Sequence, residues 1–384
     1  MTGMGPLQGI RVLDLSRLAP GPYGGMLLAD MGADVVRVDR APLGGELMPR
    51  YGDVVGRGKR SVALNLKHPA GVEAALRLVE RADVLLEGFR PGVMERLGLG
   101  PDDVAARNPR CVYARLTGWG QDGPLAERAG HDINYIAISG VLSAIGRAGE
   151  PPVPPVNLLG DFAGGGLLCA FGIVCALVER ERSGRGQVVD AAMLDGATNL
   201  FSFFSAAVHA GMWGPRGTNM LDTGVHFYDV YECADGGYVS VGAIEPQFYA
   251  QLLDGLGLAP EDLPHTQHDP AGQDELRRIF AERFRTRTRD EWAAVFEERD
   301  ACVYPVLEPR EAPGHRHNAA REVFVTGPFD VVQPAPAPRL DRTPGAIAGP
   351  APEPGEHTRD VLGEAGYTGD ELDDLRAQGA IAWP

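Results

Sequence analysis

The fold is decided by residues 11–38, RVLDLSRLAPGPYGGMLLADMGADVVRV. The apolar run Arg11-Val-Leu-Asp-Leu15 is typical of a buried strand. A Pro/Gly turn, Ala19-Pro-Gly-Pro22, predicts the start of a helix, because proline favours the first helical turn. Gly32 predicts the helix end, since glycine is common just past the last turn. Val35-Val-Arg-Val38 follows as a strand, so the stretch predicts a strand–helix–strand unit.

The same alternation continues to about residue 120. The i, i+3, i+4, i+7 spacing of an amphipathic helix is met by Val72, Ala75, Leu76 and Val79. Further strands are predicted at 61–66, 83–86 and 111–116. Strands that alternate with helices indicate an α/β fold with a Rossmann-like parallel sheet. The turn after the first strand lacks the G-x-G-x-x-G fingerprint, which argues against NAD.

The pattern changes after residue 224, which predicts a second domain. We expect four regions: a large α/β domain over 1–200, a linker over 201–224, a smaller α+β domain over 225–310, and a C-terminal segment over 311–384 that returns to the large domain. Mostly apolar helices are predicted at 162–181 and 191–213. Seven prolines between 334 and 354 predict an extended segment before a helical region over 355–379.

Short elements are predicted in the smaller domain. Its strands are expected at 227–231, 238–241 and 302–306. Its helices are expected at 246–256, at 273–285 and from Thr288, where Thr288-x-x-Glu291 has the pattern of a capping box. This mixture predicts an α+β unit.

Charge and cysteine use restrict the class of protein. The 384 residues carry 36 basic and 52 acidic side chains, a net charge of −16. That balance argues against nucleic acid and anionic membrane surfaces as partners. The five cysteines contain no CxxC pair, which is typical of a reduced, cytoplasmic chain. The first residues lack a basic and then apolar stretch, so no signal peptide is expected.

Two apolar stretches, 162–178 and 196–215, approach the length of a membrane span. The first has 17 uncharged residues but is rich in glycine, and the second contains several polar side chains. We therefore interpret both as buried core helices. Cys169 and Cys175 lie on the first and are interpreted as core residues.

Five basic residues could form a phosphate pocket on this acidic chain: Arg40, Lys59, Arg60, Lys67 and Arg90. Arg40 ends the second predicted strand, where this fold class places the ribose or phosphate of a nucleotide. Lys59 and Lys67 are the two lysines of the sequence and stand eight positions apart. A compact ammonium is a good partner for phosphate. The alternative is that these are solvated charges whose proximity is coincidental.

Two segments contain residues suited to acid–base chemistry. His131, in Gly130-His-Asp-Ile-Asn-Tyr135, has the side chain whose unperturbed pKa lies nearest neutrality. The alternative is that His131 and Asp132 cap a helix. Glu245, in Ile244-Glu-Pro-Gln247, directly precedes a helix, and its alternative role is to support the helix start electrostatically.

Asp161 stands just before the long apolar helix, where it could act as an N-cap. Residues 164–166 are three successive glycines, which would let a ligand approach the backbone. Each glycine inside a helix costs up to about 1 kcal/mol against alanine, which capping alone does not explain. The helix start at 162–166 is therefore predicted to stabilise an oxyanion.

Four histidines have the spacings HxxH and HxH: His265, His268, His315 and His317. A zinc site needs more ligands than these can supply, so no metal site is expected.

Seven segments follow one another in a specific order. They are LAPGPY at 18–23, VVRVDR at 35–40, GRGKRS at 56–61, GHDINY at 130–135, DFAGGG at 161–166, GRGQV at 184–188 and VGAIEPQFY at 241–249. Together they resemble the class III CoA-transferase superfamily, and most closely its α-methylacyl-CoA racemase branch. The resemblance covers nearly the whole chain, although the tail from about 310 matches less well.

The resemblance implies roles for individual residues. His131 and Asp161 fall on the two catalytic acid/bases of that branch, and Glu245 falls on a residue near the histidine. CoA contacts are implied at Arg40, Leu64, Asn65, Leu66, Lys67, Gly130, Asp132, Ile133, Asn134 and Tyr135. Arg90 joins them from the predicted phosphate pocket. The substrate would be an acyl-CoA thioester, with no separate cofactor, and two chains would form an interlocked homodimer.

The implied reaction is inversion of the α-carbon of 2-methylacyl-CoA thioesters through an enolate, with one acid/base on each face. The alternative is a class III CoA-transferase, in which the aspartate at position 161 is a nucleophile. Transferases of the superfamily generally lack GHDINY, so His131 favours the racemase. A further alternative is a non-catalytic acyl-CoA binding protein, which is disfavoured because both His131 and Asp161 are present.

Overall fold

The computed structural model describes residues 5–44, 53–327 and 330–384. The chain divides into two compact units. The first contains the described residues of Met1–Ser139, Val156–Leu200 and Ala320–Pro384. The second contains Gly140–Pro155 and Phe201–Ala319.

Strands and helices alternate through the first part of the first unit. In chain order they are β1 (Arg11–Asp14), α1 (Pro20–Asp30), β2 (Asp34–Arg40), β3 (Arg60–Leu64), α2 (Pro69–Val79), β4 (Val84–Glu87), α3 (Val93–Arg96), α4 (Pro101–Arg107), β5 (Val112–Thr117) and α5 (Asp132–Ile138). Every residue of β4 and β5 is buried. Such continuous burial is typical of parallel strands covered on both faces. The predicted α/β alternation is therefore confirmed.

The middle of the chain differs from its predicted helices. A π-helix, Leu158–Leu167, continues directly into α6 (Leu168–Ser183). The single helix predicted over 191–213 is wrong. Strand β6 (Val188–Ala192) pairs with β5, and two helices follow: α7 (Met193–Leu200) and α8 (Ser202–His209). Pairing with a distant strand decides the structure of 188–192, which is too short to show a clear period in the sequence.

The second unit has its own sheet and core. It contains α8, β7 (Tyr228–Glu232), β8 (Tyr238–Gly242), α9 (Pro246–Leu256), α10 (Gln273–Phe284), α11 (Arg289–Phe296), β9 (Val303–Val306) and most of α12 (Arg316–Ala320). The three strands are antiparallel. The predicted capping box is confirmed, because the Glu291 N–H donates to Thr288 Oγ1 at 3.3 Å. The stretch predicted as a linker, 201–224, instead contains α8 and belongs to this unit.

The C-terminal part of the first unit begins at Ala320. It contains the hairpin β10 (Phe324–Thr326) and β11 (Val332–Pro334), then α13 (Thr358–Glu364), α14 (Gly369–Ala377) and β12 (Ile381–Ala382). Residues 335–357 contain neither helix nor strand. Two helices thus replace the single helical region expected over 355–379. Short 3₁₀ turns along the chain lie at Val54–Gly56, Leu142–Ala144, Pro260–Asp262, Pro270–Gly272 and Ala312–Gly314.

The large sheet has seven strands in the order β12-β3-β2-β1-β4-β5-β6. All neighbours are parallel except β12, which pairs antiparallel with β3. Leu85 packs into one apolar cluster, whereas Val84 and Leu86 pack into the other, so the two clusters cover the two faces of the sheet. The chain order reverses direction between β1 and β4. In such sheets ligands bind outside the carboxyl ends of the strands at this reversal.

One helical segment, Leu158–Ser183, is long and apolar enough to cross a membrane by length and composition alone. Its inner face is buried, as predicted for Cys169. Its outer face carries an exposed apolar stripe, formed by Leu167, Phe171, Cys175 and Val178. The interpretation as a wholly buried core helix, with Cys175 inside, is therefore wrong. The spacing of four, four and three residues places these side chains on one helix face.

Candidate active site

The carboxyl edge of the large sheet holds most of the predicted ligand contacts. Arg40 ends β2, Lys67 follows β3, and Arg90 follows β4. All three side chains are exposed and have no ion-pair partner in the described part of the chain. Arg17, which the sequence analysis missed, lies three residues after the end of β1 and shares both properties. The signal in the sequence that could have identified Arg17 as a ligand contact was its position after the first predicted strand.

Helix α1 offers little to a phosphate. Pro20 and Pro22 lie in its first turn and have no N–H. The Gly21 N–H donates to the Leu18 carbonyl at 3.2 Å, and the Tyr23 N–H donates to the Ala19 carbonyl at 3.2 Å. The helix start therefore lacks the free amides that bind pyrophosphate in dinucleotide folds. A phosphate in this crevice would be bound by side chains.

Two of the five predicted phosphate ligands are used elsewhere. Lys59 is buried and pairs with Asp14, Nζ to Oδ2 at 3.0 Å. Arg60 lies at the amino end of β3, where it pairs with Asp34 at 2.6 Å and with Glu364 at 2.8 Å. The prediction of one pocket with five cations is therefore wrong for Lys59 and Arg60. Both stabilise the fold of the first unit instead.

The segment that follows β3 is partly structural. Leu64 is buried, and Leu66 packs against the same apolar cluster. The Asn65 Nδ2 donates to the Gly379 carbonyl at 3.1 Å, while its Oδ1 accepts the Lys67 N–H at 3.2 Å. Lys67 is the residue of this segment whose charged side chain is exposed.

His131 is the N-cap residue of α5 and is exposed. Its backbone N–H donates to Asn134 Oδ1 at 3.1 Å. The imidazole makes no hydrogen bond to any residue that the structure describes. The capping alternative therefore applies to the backbone of His131, and its ring nitrogens remain available to a ligand.

Asp132 connects the two proposed acid/base segments. Its side chain is buried, and Oδ1 accepts the Gly160 N–H at 2.6 Å and the Asp161 N–H at 2.7 Å. The carboxylate thus caps the π-helix rather than α5. Asp161 is held by a neighbour of His131, although 30 positions separate the two residues in the chain.

Asp161 lies within the π-helix and is half-buried. Burial raises the pKa of its carboxyl, and the Asp132 carboxylate raises it further. The amide of Asn157, whose Nδ2 lies 3.0 Å from Oδ2, and the His131 imidazole act in the opposite direction. The i, i+4 spacing of Asn157 and Asp161 was the signal for this missed partner.

The expected N-cap role of Asp161 is wrong, because the helix begins three residues earlier. The expected oxyanion site is wrong as well for residues 163–166. In a π-helix each N–H bonds the carbonyl five residues before it, so the amides from position 163 onward are used internally. The glycines serve packing instead: a Cβ on Gly164 would lie 2.6 Å from Ala197 N, and one on Gly165 would lie 2.9 Å from Met193 Cγ.

Tyr135 and Trp119 fix the loop before α5. The Tyr135 hydroxyl donates to the Gly130 carbonyl, and the two rings pack edge to face with centroids 4.7 Å apart. Burial and the Asp161 charge raise the pKa of Tyr135, whereas the Arg90 guanidinium lowers it. Arg90 therefore lies within electrostatic reach of this segment. Ile133 and Asn134 are exposed on the first turn of α5.

Glu245 belongs to the second unit, where it is the exposed N-cap residue of α9. Its carbonyl accepts the Phe248 and Tyr249 N–H groups at 3.0 Å. His131 belongs to the first unit, so the expected partnership of Glu245 with the imidazole stays a prediction. Within the described ranges, no three His, Cys, Asp or Glu side chains gather as a metal site, and His265 pairs with Asp269 at 2.9 Å.

Comparison with known proteins gives these features a context. The profile of CoA-transferase family III matches residues 7–358. The alpha-methylacyl-CoA racemase of Mus musculus is 52% identical over 368 residues, 95% of this chain and 95% of that protein. The alpha-methylacyl-CoA racemase of Homo sapiens is 50% identical over 380 residues, 98% of this chain and 97% of that protein. A CAIB/BAIF family protein from Brucella suis has a similar crystal structure, with TM-score 0.82 and 25% identity, covering 94% of this chain and 99% of that one.

Proposed function

Because the chain belongs to CoA-transferase family III, we propose that it is an isomerase that inverts the α-carbon of 2-methylacyl-CoA thioesters. Its similarity to two racemases over nearly the full length supports this reaction. The structural observation that carries the proposal is the link between His131 and Asp161. The carboxylate of Asp132, which follows His131 in the chain, accepts the backbone N–H of Asp161.

The reaction requires two proton transfers. One acid/base takes the α-proton, and the electron pair of the C–H bond moves into an enolate conjugated with the thioester carbonyl. The other acid/base then donates a proton to the opposite face of the same carbon. The carbon regains four substituents with inverted configuration, and the protein has exchanged one proton between its two groups. The reverse reaction uses the same groups with their roles exchanged.

The environment of Asp161 suits such an exchange. Its raised pKa brings the carboxyl closer to neutral pH, where it can both hold and release a proton. His131 complements it, because its imidazole is exposed and free of hydrogen bonds to the described residues. We propose that Glu245 orients this imidazole in the assembled enzyme. One proton shared between His131 and Asp161 is then sufficient for both directions.

Side chains at the carboxyl edge of the sheet bind the CoA moiety in this proposal. Arg17, Arg40, Lys67 and Arg90 are exposed there and lack ion-pair partners in the described residues. Guanidinium and ammonium groups bind phosphate by charge-assisted hydrogen bonds. Because α1 lacks free amides, these cations would supply most of the phosphate binding.

We propose that the chain forms a homodimer. The apolar stripe supports this assembly, since Phe171 is 63% exposed and Val178 is 55% exposed. Exposed apolar side chains in one continuous row are typical of protein interfaces. The acidic net charge of −16 disfavours an anionic membrane as the alternative cover.

A CoA-transferase is the second candidate, and family membership is the observation that favours it. Asp161 would then attack the thioester carbonyl, release the CoA thiolate and form an acyl anhydride. The thiolate would attack the aspartyl carbonyl of that anhydride, release the donor carboxylate and leave an aspartyl-CoA thioester. The acceptor carboxylate would then displace the thiolate to form a second anhydride, and attack of the thiolate on the acceptor's carbonyl would release the new acyl-CoA and restore Asp161. These transfer steps would not require His131 to donate or accept a proton.

Deuterium incorporation separates the two reactions. The purified protein is incubated in D₂O with one enantiomer of a 2-methylacyl-CoA, first without and then with an acceptor carboxylic acid. We expect α-deuterium and loss of optical purity without the acceptor. Movement of CoA to the acceptor, trapping of an acyl group by hydroxylamine and no α-deuterium would instead establish the transferase. Asp161→Asn is the control, which should abolish both racemisation and transfer of CoA.

A further inference from the structure

We infer that Asp132 is a positioning residue that couples the two proposed acid/bases, rather than a contact to CoA. This inference rests on the proposed function, because it assigns a task within that same site. It departs from the role that the GHDINY resemblance implied for this position.

The geometry leaves the Asp132 carboxylate little capacity for a ligand. The residue is 4% exposed. Oδ1 is occupied by the Gly160 and Asp161 N–H groups at 2.6 and 2.7 Å, and Oδ2 is buried without a hydrogen-bond partner in the described residues. A CoA contact through this carboxylate requires an accessible oxygen, and neither carboxylate oxygen of Asp132 is accessible.

The two bonds define the start of the π-helix. The first N–H groups of any helix have no acceptor within that helix. The Asp132 carboxylate supplies that acceptor, although it lies 28 positions before Gly160 and 29 before Asp161. The hydrogen bond from the Asp161 N–H to Asp132 therefore fixes the backbone of Asp161. Since Asp132 is also the residue after His131, a shift of its carboxylate would change the separation of the two acid/bases.

The partnerless Oδ2 gives the carboxylate a second effect. A buried oxygen without a hydrogen bond destabilises a folded protein, and a catalytic role is one reason why such a group is retained. The negative charge of Asp132 opposes ionisation of Asp161, whereas His131 and Asn157 favour it. Tyr135 also lies within electrostatic reach of Asp161. Asp132 therefore helps to keep a proton available on Asp161 while it holds the backbone in place.

The test compares Asp132→Asn with Asp132→Ala. Asparagine retains an oxygen acceptor but removes the charge, and alanine removes both. The measurements are kcat, KM and the pH profile of kcat/KM for racemisation of a 2-methylacyl-CoA. We expect the acidic limb of the Asp132→Asn profile to move to lower pH, because loss of the charge lowers the pKa of Asp161. We expect kcat of Asp132→Ala to fall about 10- to 100-fold while KM changes less than about twofold.

Asp190→Asn is the matched control. Asp190 is exposed on β6, and its Oδ2 accepts the Gln121 N–H at 3.2 Å. The control keeps the wild-type profile if the shift is specific to Asp132. A raised KM with unchanged kcat in both Asp132 variants would overturn the inference and restore the CoA contact. An unmoved acidic limb in Asp132→Asn would overturn the electrostatic part. Wild-type protein without α-proton exchange would overturn the proposed function itself.

Discussion

Lys59 and Asp14 form a fully buried ion pair in which Nζ lies 3.0 Å from Oδ2. The ammonium also donates to the Pro22 carbonyl at 2.9 Å, and the other carboxylate oxygen accepts the Ser16 N–H at 3.0 Å. The pair therefore fixes the turn between β1 and α1, next to Arg17. A buried ion pair of this kind is strongly destabilising when one partner is removed, because the other charge remains in the interior.

Replacement of Lys59 by methionine is expected to lower the free energy of unfolding by about 3–5 kcal/mol. The physical reason is the uncompensated Asp14 carboxylate. Chemical denaturation measures the loss. Lys67→Met, at the exposed lysine, is the matched control and should change stability by less than about 0.5 kcal/mol while it raises KM for acyl-CoA. The reverse pattern would mean that Lys59 binds phosphate.

Neutralisation of the carboxyl-edge cations should weaken binding of CoA without slowing the chemical step. We expect Arg40→Gln and Arg17→Gln each to raise KM for acyl-CoA about tenfold or more, the effect of a lost charge-assisted hydrogen bond. The kcat should stay within about twofold. An acyl-pantetheine thioester, which lacks the nucleotide, is the control and should show no change between variants. A large fall in kcat at saturation would contradict a remote binding role.

Glycine packing around the π-helix can be tested by stability alone. Gly164→Ala would bring a Cβ to 2.6 Å from Ala197 N, so α7 must move away. We expect a loss of about 1–3 kcal/mol in unfolding free energy. Gly363→Ala is the control in α13, where a Cβ meets nothing within 4 Å, and it should stabilise by about 0.4–1 kcal/mol. Unchanged stability in Gly164→Ala, with lost activity, would restore the ligand-approach interpretation.

The apolar stripe predicts a change of assembly on substitution. Phe171→Glu should convert a dimer to monomers in light scattering, because a carboxylate on the exposed stripe cannot be buried in an apolar interface. Val332→Glu places the same charge at another exposed apolar position, on β11, and should leave the assembly unchanged. A wild-type monomer at micromolar concentration would refute the proposed dimer.

The sequence predicted the features that depend on local pattern. The apolar runs at β1, β2, β4 and β5 were found because parallel strands are buried on both faces. The capping box at Thr288 was found because its bonds join residues three positions apart. His131 and Asp161 were singled out by their motifs, and the structure links them through Asp132.

Features that depend on distant partners were missed. Lys59 finds its partner 45 positions earlier, and the π-helix depends on an acceptor 28 positions before Gly160. The three glycines at 164–166 suggested a ligand, because no local signal showed that α1 and α7 pack against them. The burial of the apolar segment was overestimated for the same reason, since an exposed helix face and a core face have the same composition.

The central claim is that His131 and Asp161 serve opposite faces of one α-carbon. The most direct measurement follows α-deuterium and chirality for each pure enantiomer in D₂O with wild-type protein, His131→Ala and Asp161→Asn. The two-base account predicts racemisation by the wild type. It predicts that each variant exchanges the α-proton of one enantiomer with retention, His131→Ala acting on one and Asp161→Asn on the other. Equal exchange of both enantiomers by a single variant, or wild-type exchange without inversion, would contradict it.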